Sequence, residues 1–398
     1  MIRLALLSHY LGPYHLVRVR AAAQRMDLTV IEMSGKTLHY AWDAVPAEDG
    51  FRRMTLFPEC DCTTLPRVEV LRRLEEALDE VKPDVVAIPS WGDAEALAAL
   101  WWSLKTGTPN LVRVDSNQHD RSRWFFIEAV KRLIVGHFQA ALVAGLTGRA
   151  YLEALGMPRG SIQLGLDVVD NDYFAKGAAA ARADAVSVRR ALGLPERYFL
   201  CSARYIWQKN LLRLLEAFAR YRRRAGDGAW SLVLLGDGEL HGELERRCAE
   251  LGTAQAVVFT GFKQYNDLPP YYALAGAFVL ASVSDTWGNA VNEAMACGLP
   301  VLVSKRCGCA TTLVHEGKNG FTFDPLDVDG LANLMLHFSS GEVDLAAMGQ
   351  AGREIIGHWT PDTYAEGLLK SAEHALAQPR PHGSRPFLMF LKVLARLR

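Results

Sequence analysis

Neither sign of charge is in excess: 44 lysines and arginines meet 44 aspartates and glutamates in 398 residues. Without a basic surplus the chain has no global attraction to a nucleic-acid backbone. Long apolar runs are missing too. No stretch approaches the roughly 18 uninterrupted apolar residues of a membrane span. The opening MIRLALLSHYLGPYHLVRVR has too short an apolar core for a secretory signal and no small-residue cleavage site. It reads as a first buried strand, and the chain as a cytoplasmic protein. Cysteines are few and odd in number, seven, without the spacing of a disulfide framework. Cys60/Cys62 and Cys307/Cys309 are C-x-C pairs rather than the C-x2-C sets of structural zinc, so reduced thiols are expected. No G-x-G-x-x-G follows the first apolar run, which weakens a nicotinamide-dinucleotide reading.

What is present is the composition of a globular protein, 50% hydrophobic and 22% charged, at a length suited to two domains. Short runs of valine, isoleucine and leucine alternate with helical periodicity. In the first half strands are expected at 3–8, 28–33, 84–89, 110–116 and 140–145, with helices between them. Continuous apolar strands mean a parallel sheet covered on both faces. The stretch from about 169 to 197 is linker-like. A second series follows, with strands at 198–203, 231–236, 256–261, 277–282, 300–304 and 320–324. Two doubly wound sheets in series predict ligand binding at the carboxyl ends of their strands, in a central cleft. The tail 380–398 has five basic residues, no acid and an apolar stripe. Two readings of it stay open: a helix on an anionic membrane surface, or a helix docked on the protein itself.

The most informative stretch is ASVSDTWGNAVNEAMACGLP at 281–300. A strand ends at Ser282, a short loop carries Asp285 and Gly288, and a helix starts near Asn289. Unpaired amides and the positive end of the dipole make a helix start an anion seat. Gly288 lets a ligand approach the backbone. Asp285 and Glu293 can accept hydrogen bonds from sugar hydroxyls, where either acid alone would read as an ordinary loop or first-turn residue. Directly after the strand at 198–203 comes ARYIWQKN at 203–210, with Arg204 and Lys209 placed to neutralise a diphosphate.

These stretches resemble the C-terminal domain of retaining GT-B glycosyltransferases of the glycosyl transferases group 1 type. Their hallmark is an acid, seven residues, then a glutamate in an E-A-M-A-C-G-x-P-V run; Asp285, Glu293 and the run 293–301 match it. The family usually starts the motif with glutamate, so Asp285 is a departure. The resemblance implies an α/β fold of GT-B type, two Rossmann-like doubly wound parallel-sheet domains facing a central cleft. Its expected division is an acceptor domain at 1–172, a linker at 173–197, a nucleotide-sugar domain at 198–358, a helix at 359–378 returning to the first domain, and the tail at 379–398.

By the same resemblance Asp285 holds donor-sugar hydroxyls, Glu293 the ribose, and Arg204 and Lys209 the donor phosphates. Gly288, Asn289 and Ala290 receive the diphosphate, and Gly236 and Phe262 line the nucleotide pocket. Gly12 opens the first loop of the N-terminal half, whose Pro13-Tyr14 stands where the family has glycines. His15 and Arg18 are placed beside it without an assigned role. His119, in the polar DSNQHDR at 115–121, is the histidine expected to touch the donor sugar. The implied reaction is metal-independent transfer, with retention, of a sugar from a nucleotide-sugar donor to a carbohydrate or lipid-linked acceptor. The polysaccharide or glycolipid setting comes from family habit, with peripheral membrane contact open through 380–398. No cofactor, metal or nucleic acid is implied. Asp327-Val-Asp329 reads as a helix start rather than a metal site. The alternatives are a GT-B nucleotide-sugar epimerase and a non-catalytic sugar-nucleotide-binding subunit.

Overall fold

The structure, a computed structural model, describes residues 1–37, 45, 50–118 and 124–397. Its first strands and helices alternate as β1 Arg3–Ser8, α1 Pro13–Ala23, β2 Asp27–Ser34, β3 Arg52–Phe57, α2 Arg67–Val81, β4 Val85–Ile88, α3 Ala94–Thr106, β5 Asn110–Val114, α4 Phe125–Val135, β6 Ala140–Val143, α5 Leu146–Ala154 and β7 Ile162–Leu164. Then come α6 Asn171–Ala183, α7 Ala185–Leu192, β8 Tyr198–Ser202, α8 Leu211–Ala225, β9 Ser231–Leu235, α9 His241–Glu250, β10 Val257–Phe259, α10 Pro269–Ala273, β11 Ala277–Leu280 and α11 Asn289–Ala296. The last are β12 Val301–Ser304, α12 Ala310–Leu313, β13 Gly320–Phe323, α13 Val328–Ser339, α14 Leu345–Ile356, α15 Pro361–Ala377 and α16 Arg385–Leu397.

The chain divides into two units, 1–168 with 361–398, and 169–360. Each is an α/β Rossmann-like unit built on one parallel sheet, the fold class expected from the sequence. The first sheet runs β3-β2-β1-β4-β5-β6-β7 and the second β10-β9-β8-β11-β12-β13. Strand order therefore reverses between β1 and β4 and again between β8 and β11. In such sheets the loops leaving these strand pairs diverge and open a crevice.

The first sheet has seven strands where five were expected. The two missed ones, β3 and β7, are its edges. An edge strand is not buried on both faces: Arg52, Arg53, Met54 and Thr55 remain at least partly exposed. They lack the continuous apolar run of the inner strands.

The stretch 173–197, expected as a linker, is mostly helical and belongs to the second unit. Asp170 caps α6 by accepting from Tyr173 N at 2.9 Å. Phe174, Ala178 and Ala181, one helical face, are buried. The alanine run within this linker-like stretch favours helix once one face has a partner. Gly177 lies so close to α10 that an added Cβ would sit 2.6 Å from Pro269 Cβ.

The last two helices pack within the first unit. In α15, Ser371 Oγ donates to Ala141 O at 3.2 Å, and Tyr364 OH meets the Arg113 guanidinium at 3.3 Å. Helix α16 packs on α3 and buries Phe387, Leu391 and Ala395 in the first unit's core. Lys392 Nζ lies 5.0 Å from the centre of the Trp101 ring. Of the two readings of the tail, this stripe follows the one that docks it on the protein. Among the described residues no helix is long and apolar enough to cross a membrane.

Candidate functional site

The second unit gathers most of the residues singled out above at its switch point. The loop after β8 carries Arg204 and Lys209, and the loop after β11 carries Asp285. Neighbouring strands thus deliver both loops to one edge of the sheet. Lys209 Nζ lies 2.6 Å from Asp285 Oδ2, with both side chains largely buried. Ser282 Oγ donates to the same oxygen at 3.3 Å. Arg204 is exposed, five residues before Lys209.

Asn210 fixes the loop. It adopts a left-handed conformation, φ 56°, which asparagine tolerates better than most residues. Its side-chain amide donates to Ala281 O at 3.0 Å and Pro325 O at 2.8 Å. Gln208 O accepts from Val283 N at 2.8 Å. The two loops are therefore stitched together through Asn210 and Gln208. The sequence reading missed both roles; an asparagine straight after a short turn and before an apolar helix was the available signal.

Helix α11 starts at Asn289, with Gly288 in a left-handed conformation at φ 103°. A Cβ on Gly288 would stand 3.0 Å from Leu280 and 3.8 Å from Asp285 Oδ2, so glycine is required on two counts. The first amides of α11 have no intrahelical acceptor. Asn289 Oδ1 is buried without a hydrogen-bond partner, which is unusual for a buried amide oxygen. One turn on, Glu293 is 3% exposed and accepts from Tyr272 OH at 2.5 Å. Burial pushes the neighbouring Cys297, Cys307 and Cys309 thiols up, so they stay protonated at neutral pH.

Gly236 and Phe262 come to the same edge. Gly236 N donates to Gly261 O at 3.1 Å, and Tyr205 N to Asp237 O at 2.8 Å. A Cβ on Gly236 would meet Ala203 O at 2.0 Å, so this turn packs against the Arg204 loop only as glycine. Phe262 is 40% exposed. The geometry can seat an anion on a lysine and a helix start, with carboxylates at both sides for hydroxyl donors.

Residues 187–355 match the family model described as Glycosyl transferases group 1. This group 1 segment contains Arg204, Lys209, Gly236, Phe262, Asp285, Gly288, Asn289 and Glu293. Among curated proteins, the chain is 33% identical over 204 residues to the GDP-mannose-dependent alpha-(1-6)-phosphatidylinositol monomannoside mannosyltransferase of Mycolicibacterium smegmatis, covering 49% of this chain and 50% of the relative. Identity to the protein of the same name from Mycobacterium tuberculosis is 31%, over 60% of this chain and 62% of the relative. The match thus spans between half and two thirds of these relatives' length.

Among solved structures, Anabaena Alr3699/HepE in complex with UDP superposes with a TM-score of 0.70 at 18% identity, covering 94% of this chain and 100% of that one. WaaG, a glycosyltransferase involved in lipopolysaccharide biosynthesis, gives 0.67 at 14% identity, covering 94% and 100%. At such identities the likeness is one of fold, and the fold is that of GT-B glycosyltransferases.

Outside the group 1 segment, Gly12 is the N-cap of α1 in the first unit, and its amide donates to His15 Nδ1 at 3.2 Å. The loop is held by Glu32, fully buried, which accepts from Leu11 N at 2.7 Å and pairs with Arg53 at 2.9 Å. Arg18 is buried, donating from Nε to Val168 O at 2.9 Å and pairing with Asp167 at 3.0 Å. Its second terminal nitrogen is buried without a partner. Arg113, also missed, donates to Leu7 O and lines with His15, Arg18 and Asp167 a cavity of about 280 Å³. An arginine inside an otherwise apolar strand was its signal. His119 lies outside the described residues.

Desolvation first, then the Arg18 and Arg113 charges, lower His15 to about 3. The folded value lies below the ordinary 6.5 of the unfolded chain, so the unfolded state binds the extra proton between them. Stability contributed by neutral His15 is present above pH 6.5 and lost as pH falls toward 3. One titrating proton limits the slope to about 1.4 kcal/mol per pH unit. Chemical denaturation from pH 7 to 4 should show His15→Gln losing less stability than the parent; parallel curves would remove His15 as the source.

Among the described residues one group could hold a metal ion: His9, Cys62 and Glu95, with ligand atoms within 4.8 Å of one another. Desolvation pushes the Cys62 thiol up to about 12, so with no ion bound it is protonated at neutral pH. Of the D-x-D, Asp327 caps α13 by accepting from Gly330 N at 2.8 Å, and Asp329 pairs with Arg224 at 2.7 Å.

Proposed function

We propose that this chain is a glycosyltransferase that moves a sugar from a nucleotide-sugar donor to an acceptor hydroxyl with retained anomeric configuration. The observation that carries the reading is the Lys209–Asp285 contact at 2.6 Å beside the start of α11. The match to the group 1 family model and the names of the relatives support it. On this reading the second unit holds the donor and the first the acceptor.

In the transfer, the bond from the sugar's anomeric carbon to the leaving phosphate oxygen breaks, and a bond from that carbon to the acceptor oxygen forms. The acceptor's proton passes to the leaving phosphate. Charge growing on the diphosphate meets Lys209, Arg204 and the first amides of α11, a preorganised electrostatic stabilisation. An ammonium has three N–H donors, so Lys209 can reach a phosphate while one bonds Asp285. Glu293 takes the ribose hydroxyls, Asp285 those of the donor sugar, and Gly236 and Phe262 border the base. By the resemblance alone, His119 is assigned to the donor sugar and Gly12 to the loop that meets donor and acceptor. No group here requires a metal.

The two mycobacterial relatives named above are GDP-mannose-dependent, and HepE is described in complex with UDP. A panel of GDP- and UDP-sugars is therefore the test. The true donor at a hundred times its dissociation constant should stabilise the fold by about 2.7 kcal/mol and raise Tm. With acceptor present, the product should be a glycoside whose anomeric configuration, read by NMR, equals the donor's. A free epimerised nucleotide sugar without glycoside would instead make the chain an epimerase. Tight nucleotide binding with no turnover would make it a binding subunit.

A further inference from the structure

Helix α4 turns most of its apolar side chains outward. Trp124, Phe125 and Phe126 are 66%, 81% and 79% exposed, and Ile127, Val130 and Leu133 follow on the same helix at more than a third each. Only Ile134 and Val135 of α4 are buried. Single exposed apolar residues are ordinary, but three consecutive aromatics with three aliphatics are a patch.

The patch continues onto α16, because Leu394 lines one cavity of about 390 Å³ together with Ile127, Val130 and Ile134. The ring of His137, just after α4, also stacks on Phe387 at 3.8 Å. The inner stripe of α16 is used up against α3, but its outer face exposes Met389, Val393 and Leu397.

Charge selects the occupant. Helix α16 carries Arg385, Lys392 and Arg396 and no acid. The single acid of α4, Glu128, is already paired with Lys131 at 2.8 Å, and Arg132 adds a further cation. An apolar face with aromatic rings and flanking cations matches the boundary of an anionic bilayer, where rings enter the headgroup region and basic side chains meet phosphates. A second copy of this chain would bring its own cations against these.

We propose that the outer faces of α4 and α16 together seat the first unit on an anionic phospholipid surface, with Trp124, Phe125 and Phe126 as the inserted side chains. The cavity shared by the two helices, which also reaches Tyr151, Asp115 and Asn117, then opens beside the lipid headgroups. This deepens the acceptor side of the function proposed above, since an acceptor still anchored in lipid would meet the protein there. The seat itself does not depend on donor turnover.

The test is co-sedimentation of the full chain with vesicles of phosphatidylglycerol and phosphatidylcholine, against phosphatidylcholine alone, over a range of salt. Expected are binding to the anionic vesicles, weakening with salt, and at least a tenfold loss in Phe125→Ser/Phe126→Ser. These side chains are exposed, so Tm and donor-nucleotide binding should be unchanged. Lys392→Gln/Arg396→Gln, on the exposed turns of α16, should flatten the salt dependence. Equal vesicle binding by the aromatic variant, or none by the parent, overturns the proposal. So does a dimer in solution that the same variant disrupts while no vesicle binding is seen. Vesicle binding without sugar transfer would keep the seat and remove the transferase reading instead.

Discussion

Lys209→Ala should lower kcat by about 10²- to 10³-fold, the usual cost of removing one preorganised charge-stabilising donor. The donor's KM should move far less, because the charge Lys209 answers is largest as the diphosphate leaves. The substitution also strips Asp285 of its cation, and both side chains are mostly buried. Breaking such a pair from one side can cost about 3–5 kcal/mol, so Tm is expected to fall as well. Lys209→Ala/Asp285→Ala separates the two effects. Removing both charges should restore part of the lost stability while turnover stays low. Steady-state kinetics and thermal melts on the three proteins check this. If the double variant recovers turnover along with Tm, Lys209 serves only to neutralise Asp285. If KM rises while kcat holds, it serves only to bind.

Glu293→Gln should weaken nucleotide binding by roughly ten- to a hundredfold. A hydrogen bond to a charged acceptor contributes about 1.5–3 kcal/mol, and each 1.4 kcal/mol is a factor of ten. Glutamine keeps the shape and can still accept from Tyr272 OH, so folding should change little. Tyr272→Phe is the companion variant: it removes the hydroxyl that Glu293 accepts from at 2.5 Å and leaves the carboxylate for a ribose. Calorimetric titration with the nucleoside diphosphate should find the Glu293→Gln deficit larger than that of Tyr272→Phe. Unchanged affinity in Glu293→Gln would make this acid a packing partner of Tyr272 and nothing more.

Strands buried on both faces were readable because burial writes continuous valine, isoleucine and leucine into the chain. The four inner strands of the second sheet, and the five of the first, follow that rule; the edges β10 and β13 are only partly buried and were legible from short apolar runs alone. The edge strands β3 and β7 escape it because one side of each has no neighbour to demand apolar residues. The helix α6 escaped for another reason: Gly177 is demanded by the closeness of Pro269, and a sequence does not announce which neighbour it will meet. In the site, Lys209, Asp285, Gly288 and Glu293 were legible as a pattern of residue types around a strand–loop–helix joint. Their direct contact was not, since 76 residues separate Lys209 from Asp285. Arg113 stood out only as a charge inside a largely apolar strand, and the role of neither it nor Glu32 could be read, for the same reason. Each makes sense only beside a loop brought in from elsewhere, as Glu32 does by holding Leu11 N.

The first unit is assembled from both ends of the chain, 1–168 and 361–398, with the second unit encoded between them. A ribosome therefore finishes the second unit while the first still waits for α15 and α16. Until those helices emerge, the surfaces that will receive Phe387 and Leu391 stand open beside the nascent polypeptide. Domains generally fold in order as they are made, and here the order of birth is inverted: the half begun first is the one completed last.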